Sequence, residues 1–292
     1  MARYFKDFKL NEEGKRFSPA ELVAYLHDCD AAIIGLEKMD ARVIDQLPRL
    51  KVISKYGVGL DNIDIAHCRR KGIQVLWTPG VNRLSVAEMV ISNAIALLRN
   101  IYVSSLQLKQ GRWIKNGGHQ LSHKTVGIIG VGHIGKEVIR LLQPFQCKLL
   151  VNDIIDQHAY YRSVGAIEAT KEEIFRTADV ITIHTPLTDQ TRYMINARTL
   201  AMMKPFAIVI NTARGGIVHQ EALKEALRAK RIGGAALDVY EEEPVTDQAL
   251  LSLPNLIATP HIGGNAAEAV KAMGMAAIEN LRKAIERSAG NA

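Results

Sequence analysis

The chain has 292 residues, 48% of them hydrophobic and 23% charged, with a formal charge of +7 and a pI near 9.3. That length suits one large domain or two of about 150 residues, and the near-average composition excludes collagen-like, low-complexity and disordered chains. No stretch approaches the ~18 apolar residues of a membrane span, the first residues lack the apolar run of a secretory signal, and Cys29, Cys68 and Cys147 show neither CxxC nor CxxH spacing. The expectation is a cytoplasmic protein with no membrane contact, disulfide framework or metal site. The basic excess suggests an anionic partner. Nucleic acid is not expected, because the basic residues are dispersed, aromatics are only 5%, and no helix-turn-helix, zinc-finger or RNP pattern accompanies them.

Val- and Ile-rich runs alternate with helix-period segments, which predicts βα units feeding parallel sheets. In chain order the spacing predicts a helix over 19–27, a strand over 31–35, a helix over 40–47, a strand over 51–54, a helix over 62–71 and a strand over 73–76. Thr78-Pro79-Gly80 breaks the pattern as a linker. Ser85-Val86-Ala87-Glu88 has capping-box spacing and predicts the start of one long helix reaching about Lys109. Its apolar residues lie on more than one face, which suits burial between elements or a subunit contact. From Thr125 the βα rhythm resumes, with strands near 126–131, 148–152, 179–184, 207–212, 234–239 and 256–259, enough for a six-stranded doubly wound sheet. The segment 266–285 has helical period.

Gly130-Val131-Gly132-His133-Ile134-Gly135 follows an apolar strand and opens a helix. Glycines at this spacing allow a tight turn, close approach of backbone to a pyrophosphate, and helix-on-sheet packing, while the helix N-terminus faces the phosphates. A second strand ends at Asp153, about 20 residues on, where a carboxylate accepts hydrogen bonds from ribose hydroxyls and disfavours a 2′-phosphate. NAD is therefore expected rather than NADP.

Three further segments place polar residues past strand ends, where open α/β sheets bind ligands. They are Asn211-Thr212-Ala213-Arg214-Gly215-Gly216, Leu237-Asp238-Val239-Tyr240-Glu241-Glu242-Glu243-Pro244 and Thr259-Pro260-His261-Ile262-Gly263-Gly264. An arginine between a strand and two glycines suits bidentate grip of a carboxylate. Taken singly, Arg214 could be a structural ion pair, the Glu run a solvated loop and His261 a turn histidine.

Together these motifs resemble the D-isomer-specific 2-hydroxyacid dehydrogenase family, and within it the phosphoglycerate dehydrogenases, over about 17–281. The resemblance implies a Rossmann-type NAD-binding domain over 80–262 and a smaller flavodoxin-like substrate domain over 1–79 and 263–292, with the active site in a cleft between them. It implies catalytic roles for Arg214, Glu243 and His261, and reads Glu241 and Glu242 as surface neighbours. In the reducing direction His261 would protonate the carbonyl oxygen, Glu243 would hold the imidazolium, and Arg214 would bind the carboxylate and polarise the carbonyl. Substrate contacts are implied for Lys55, Val58, Gly59 and Arg214, with Lys55 placed for a distal phosphate. Cofactor contacts are implied for Thr78, Gly130, Gly132, His133, Ile134, Gly135, Asp153, Thr185, Thr212, Ala213, Asp238 and Gly264. The substrate would be a small 2-hydroxy or 2-oxo acid, the helix from Ser85 a homodimer contact.

Two departures from the family pattern shape further expectations. Family members begin with a strand and helix ahead of the segment matched by 5–10, so the small domain is expected to lack its first βα unit, leaving a gap in a 2-1-3-4-5 sheet. No regulatory domain is expected after Ala292, and hence no serine-type feedback. A non-enzymatic NAD(H)-sensing interaction protein of the same fold is the alternative reading. Oxidation of formate or phosphite is a third, with Glu243 counting against formate because the family's formate enzymes carry glutamine in that role.

Overall fold

The computed structural model describes residues 3–290, with side chains to 287, as two compact units: one of residues 3–82 and 266–290, the other Arg83–Asn265. Both are parallel α/β structures, in line with the alternating pattern of the sequence.

The first unit is built on strands β1 (Ala31–Ile34), β2 (Val52–Lys55) and β3 (Gln74–Leu76), paired parallel in the order β1-β2-β3. Helices α1 (Pro19–Leu26), α2 (Ala41–Ile44) and α3 (Ile65–Arg70) precede, link and follow β1 and β2. Each start is set by a short polar side chain: Ser18 and Glu21 form a capping box with Pro19 in the first turn, Asp40 accepts from Val43 N, and Asp64 accepts from His67 N. Ala32, Ile34 and Ile53 face a core with Leu22, Val43, Ile44 and Cys68. On the alternate face Ala31, Ile33 and Val52 pack with Leu281 and Ala284 of the C-terminal helix, Ala267–Gly290. The expected gap in this sheet does not arise. Residues 5–10 form no strand and are mostly exposed, with Phe5 resting on the Val52 cluster, so the three remaining strands pair without interruption.

The second unit begins with helices α4 (Arg83–Leu98) and α5 (Ile101–Lys109). Its sheet contains β4 (Thr125–Ile129), β5 (Lys148–Asn152), β6 (Ile167–Glu168), β7 (Val180–Ile183), β8 (Ile208–Asn211), β9 (Gly234–Leu237) and β10 (Leu256–Ala258). All pair parallel in the order β10-β9-β8-β7-β4-β5-β6. The order reverses between β4 and β7, the switch point at which a doubly wound sheet binds its ligand. The sheet thus has seven strands rather than the six expected from sequence. The addition is β6, a two-residue, exposed edge with no apolar run to announce it. Helices α6 (His133–Leu142), α7 (His158–Ser163), α8 (Lys171–Thr177), α9 (Ala197–Met202), α10 (Gln220–Arg228) and α11 (Gln248–Leu251) complete the unit. Strands β7, β8 and β9 are buried at every position, as a sheet covered on both faces requires. Fully buried side chains such as Ile128, Ile181 and Ile183 each contribute about 1.5–3 kcal/mol relative to exposure.

The long helix expected from Ser85 is corrected in two ways. It starts at Arg83, so Ser85 is not its N-cap. Instead Ser85 Oγ donates to the Gly263 carbonyl at 2.6 Å. It also breaks at Asn100, whose φ of 52° turns the chain by 63° into α5. Val86, Val90, Ala94 and Leu98 form one buried stripe on α4, whereas α5 buries no residue. No single described helix is long and apolar enough to cross a membrane; α4 and α5 together meet the test only by length and composition.

Candidate active site

The glycine loop joins β4 to α6. Gly130 has φ of 96°, donates its N–H to Asn152 O at 2.8 Å, and would carry a Cβ 2.7 Å from the His184 backbone, so neither conformation nor space admits a side chain. Gly135 lets α6 sit against the loop, since its Cβ would lie 2.2 Å from Gly130 O. Gly132 differs: it precedes α6, no side chain caps the helix, and nothing lies within 4 Å of its Cβ position. That open space stands before the first N–H groups of α6, at His133 and Ile134, the arrangement that receives a phosphate. Asp153 follows β5; its Oδ2 accepts from Val131 N at 2.6 Å and its Oδ1 from Ile155 N at 3.0 Å, fixing the carboxylate beside the loop.

The ends of β7 and β8 add two buried hydroxyls, Thr185 Oγ1 and Thr212 Oγ1, that have no hydrogen-bond partner among the described residues. Leaving such groups unpaired costs about 1–3 kcal/mol each, and a polar ligand at the switch point would satisfy them. Together with the unfilled space at Gly132, they fit a dinucleotide. His184, between them and β7, bonds Thr182 Oγ1 through Nε2 while its Nδ1 is buried without a partner. Burial lowers its pKa to about 3, so this ring stays neutral and is no source of a proton near neutral pH.

Three loops carry the expected catalytic residues. After β8, Asn211 Oδ1 accepts from Ala213 N at 3.0 Å and its Nδ2 donates to Arg214 O at 2.9 Å, which shapes the turn that presents Arg214. Arg214 Nη1 donates to Ala213 O at 2.6 Å. A Cβ on Gly215 would fall 1.8 Å from Tyr240 O, so this turn lies directly on the loop after β9. In that loop Glu243 Oε1 accepts from Tyr240 N at 3.1 Å, and Glu243 Oε2 is 2.8 Å from His261 Nδ1. An ionised carboxylate only accepts, so Nδ1 carries the hydrogen and the exchangeable position is Nε2, which makes no hydrogen bond among the described residues. The His261 side chain is 51% exposed and Glu243 is 39% exposed. His261 has φ of 54°, a left-handed conformation costing a non-glycine residue roughly 1–2 kcal/mol.

The same loops hold further expected residues. Asp238, expected at the cofactor, is 2% exposed and accepts hydrogen bonds from residues on both sides of His261. Its Oδ1 accepts from Thr259 Oγ1 at 2.7 Å and Ile262 N at 2.8 Å, and its Oδ2 from Gly263 N at 2.7 Å. Gly264 follows, half-buried. Tyr240 OH donates to Thr259 O at 3.0 Å; burial pushes its pKa up to about 12, so it remains a donor. Glu241 is exposed, as expected of a surface neighbour, yet has a structural task. Its Oε1 accepts from Gln220 N at 2.6 Å in the first turn of α10 and its Oε2 from Tyr193 OH at 3.3 Å.

In the first unit, Lys55 is 6% exposed rather than solvent-facing, and its Nζ donates to Gly35 O and, at 2.8 Å, to Asn62 Oδ1. Gly57 has φ of 114°, and the following Val58 and Gly59 donate no backbone hydrogen bond among the described residues. Thr78 Oγ1 accepts from Asn280 Nδ2 at 3.1 Å.

Residues 91–263 match the family model described as the D-isomer specific 2-hydroxyacid dehydrogenase NAD binding domain. The chain belongs to the D-isomer specific 2-hydroxyacid dehydrogenase family. It is 38% identical over 269 residues to a hydroxypyruvate reductase of Thermotoga maritima, covering 90% of this chain and 87% of that one. It is 39% identical over 270 residues to a D-3-phosphoglycerate dehydrogenase of Methanocaldococcus jannaschii, covering 91% of this chain but only 51% of the relative. Among solved structures, a D-lactate dehydrogenase of Aquifex aeolicus complexed with NAD and lactic acid superposes with a TM-score of 0.81 at 27% identity, covering 92% of this chain and 85% of that one. As a 2-hydroxyacid dehydrogenase of this family the chain uses NAD, and the glycine loop, Asp153 and the two unpartnered threonines are the residues of this structure that fit it. Homology likewise gives it NAD-dependent D-2-hydroxyacid dehydrogenase activity.

Proposed function

We propose that the chain reduces a short anionic 2-oxo acid to its D-2-hydroxy acid, and runs the reverse reaction, with His261, Glu243 and Arg214 as its catalytic residues. The observation that carries this reading is the 2.8 Å contact between His261 Nδ1 and Glu243 Oε2, which fixes the imidazole and reserves Nε2 for a proton. When bound, NAD supplies the hydride acceptor, and NADH the donor. His261 Nε2–H protonates the oxygen of the substrate carbonyl as negative charge builds there, and takes the proton back in the oxidising direction. Glu243 stabilises the positive ring and holds its plane. Arg214 binds the substrate carboxylate and draws electron density from the carbonyl, a task for which a planar guanidinium suits better than an ammonium. The glycine loop with His133 and Ile134 receives the pyrophosphate, Asp153 the ribose, and Thr185, Thr212, Ala213, Gly264 and Thr78 line the rest of the cofactor.

For the substrate, the backbone N–H groups of Val58 and Gly59 are the proposed carboxylate donors. Hydroxypyruvate is favoured over its 3-phosphorylated homologue because the Lys55 ammonium, the expected phosphate ligand, is already held by Gly35 and Asn62. The phosphorylated acid is the second reading, supported by the phosphoglycerate dehydrogenase relatives. The test is to follow NADH absorbance with hydroxypyruvate, glyoxylate, pyruvate, 2-oxoglutarate and 3-phosphohydroxypyruvate. Turnover is expected, fastest with hydroxypyruvate; NADH binding without turnover of any acid would favour the sensing role instead.

A homodimer is proposed through α5 and the segment after it. Ile101, Leu106, Leu108 and Trp113 are exposed there, Trp113 by 78%, an apolar surface that a second copy would cover. Light scattering should give about twice the 32.2 kDa chain mass, and Leu108→Glu should give the monomer.

A further inference from the structure

The turn that carries His261 is wrapped around one buried carboxylate. Asp238 accepts from Thr259 Oγ1 before the histidine and from Ile262 N and Gly263 N after it, so both flanks of the strained residue are tied to the same two oxygens. A Cβ on Gly263 would lie 2.9 Å from Asp238 Oδ2, so the glycine lets its peptide reach the acid. The carbonyl of that same residue accepts from Ser85 Oγ at 2.6 Å, an anchor on α4. We propose that Asp238 is a positioning residue whose carboxylate, with Ser85 as a second anchor, holds His261 in the left-handed conformation that aims its imidazole at Glu243. The inference rests on the reading of His261 as the proton donor.

The chemistry of the acid decides the point. Three donors converge on the two oxygens of one carboxyl group. Asparagine would offer one acceptor oxygen and turn an NH2 group toward N–H or O–H donors. His261 would then relax toward negative φ, and its ring would leave Glu243. A contact to the cofactor, the role implied by family resemblance, would change a different quantity, the affinity for NADH.

The experiment compares Asp238→Asn and Ser85→Ala with the intact enzyme. It measures NADH affinity by fluorescence, kcat with hydroxypyruvate, and the ring 1H–13C resonance of His261 in cofactor-free protein, assigned with His261→Asn. Asp238→Asn is expected to lower kcat by at least about 100-fold, the scale of a misplacement near 1 Å, to leave the NADH Kd within about threefold, and to shift the His261 resonance. Ser85→Ala should lower kcat about three- to tenfold, as loss of one hydrogen bond implies, and shift the resonance in the same direction. An NADH Kd raised tenfold or more with kcat retained, or an unmoved His261 resonance, overturns the proposal. If Asp238→Asn does not fold, Ser85→Ala and Thr259→Val decide by the same readouts. If the wild type turns over no 2-oxo acid, the functional reading fails, while the resonance still reports whether Asp238 and Ser85 set the ring.

Discussion

The two units end their strands differently. In Arg83–Asn265, β7 and β8 run out into Thr185 and Thr212, whose buried hydroxyls have no partner among the described residues, and Gly132, in the loop after β4, has nothing within 4 Å of its Cβ position. In the other unit the polar groups at the end of β2 are paired: Lys55 bonds Gly35 and Asn62, and Ser54 Oγ donates to Ala277 O at 2.8 Å. The exception there is the loop at Val58 and Gly59, which donates no backbone bond among the described residues. Buried polar groups are almost always paired in a finished fold, so the two unpaired hydroxyls at these strand ends fit a polar ligand.

Substitutions can break that contrast. Replacing Arg214 with Lys removes the bidentate grip and should lower kcat/KM for hydroxypyruvate by about 100-fold or more, with little change in melting temperature; a loss under threefold would move Arg214 to the structural class. Filling the open space with Gly132→Val should weaken NADH binding by more than about tenfold without a large stability loss, because φ at this position is −78°. Fluorescence titration and a thermal melt check both halves. Lys55→Met should do the converse. It removes the donor to Asn62 Oδ1, although Gly35 O keeps Asn62 Nδ2, and lowers stability by about 1–3 kcal/mol, while the ratio of kcat/KM between 3-phosphohydroxypyruvate and hydroxypyruvate stays unchanged; a falling ratio would make Lys55 a phosphate ligand.

The smallest expected effect is a pH dependence from His184. Its pKa of about 3 lies below the ordinary value near 6.5, so below pH 6.5 the unfolded chain binds a proton that the folded chain refuses. Stability therefore falls as pH drops through that window, by at most about 1.4 kcal/mol per unit. Glu21 and Glu279, held near 2 by hydrogen bonds from Lys15 and Arg282, act in the same direction only below their ordinary value of 4.5. Urea unfolding between about pH 6.5 and 5 thus isolates the histidine. His184→Asn should flatten the dependence, and an unchanged slope would place the protonated ring within the fold.

Much of this was legible in the sequence because the second unit announces itself by pattern. Buried parallel strands are continuous Val and Ile runs, and the glycine loop and the three catalytic segments are contiguous. What failed was local signal overridden by tertiary context. Ser85 has a capping-box spacing, but α4 was already helical from Arg83 and the hydroxyl turned to Gly263. The break at Asn100 has no proline or glycine to mark it, and β6 is too short to show a period. The task of Glu241 at Gln220 and the burial of Lys55 depend on residues distant in the chain. Asp238 is the instructive case: family resemblance implied a cofactor contact, and only the structure reveals the three donors of the histidine turn that its carboxylate accepts.

The central claim is that His261, held by Glu243, moves the proton while NAD binding depends on other residues. It is tested by His261→Asn, measuring turnover of hydroxypyruvate and NADH affinity on the same preparation. The account predicts a fall in kcat of about 100- to 10,000-fold with NADH binding as in the wild type. A variant that keeps turnover within tenfold of the wild type, or loses NADH binding together with activity, contradicts it.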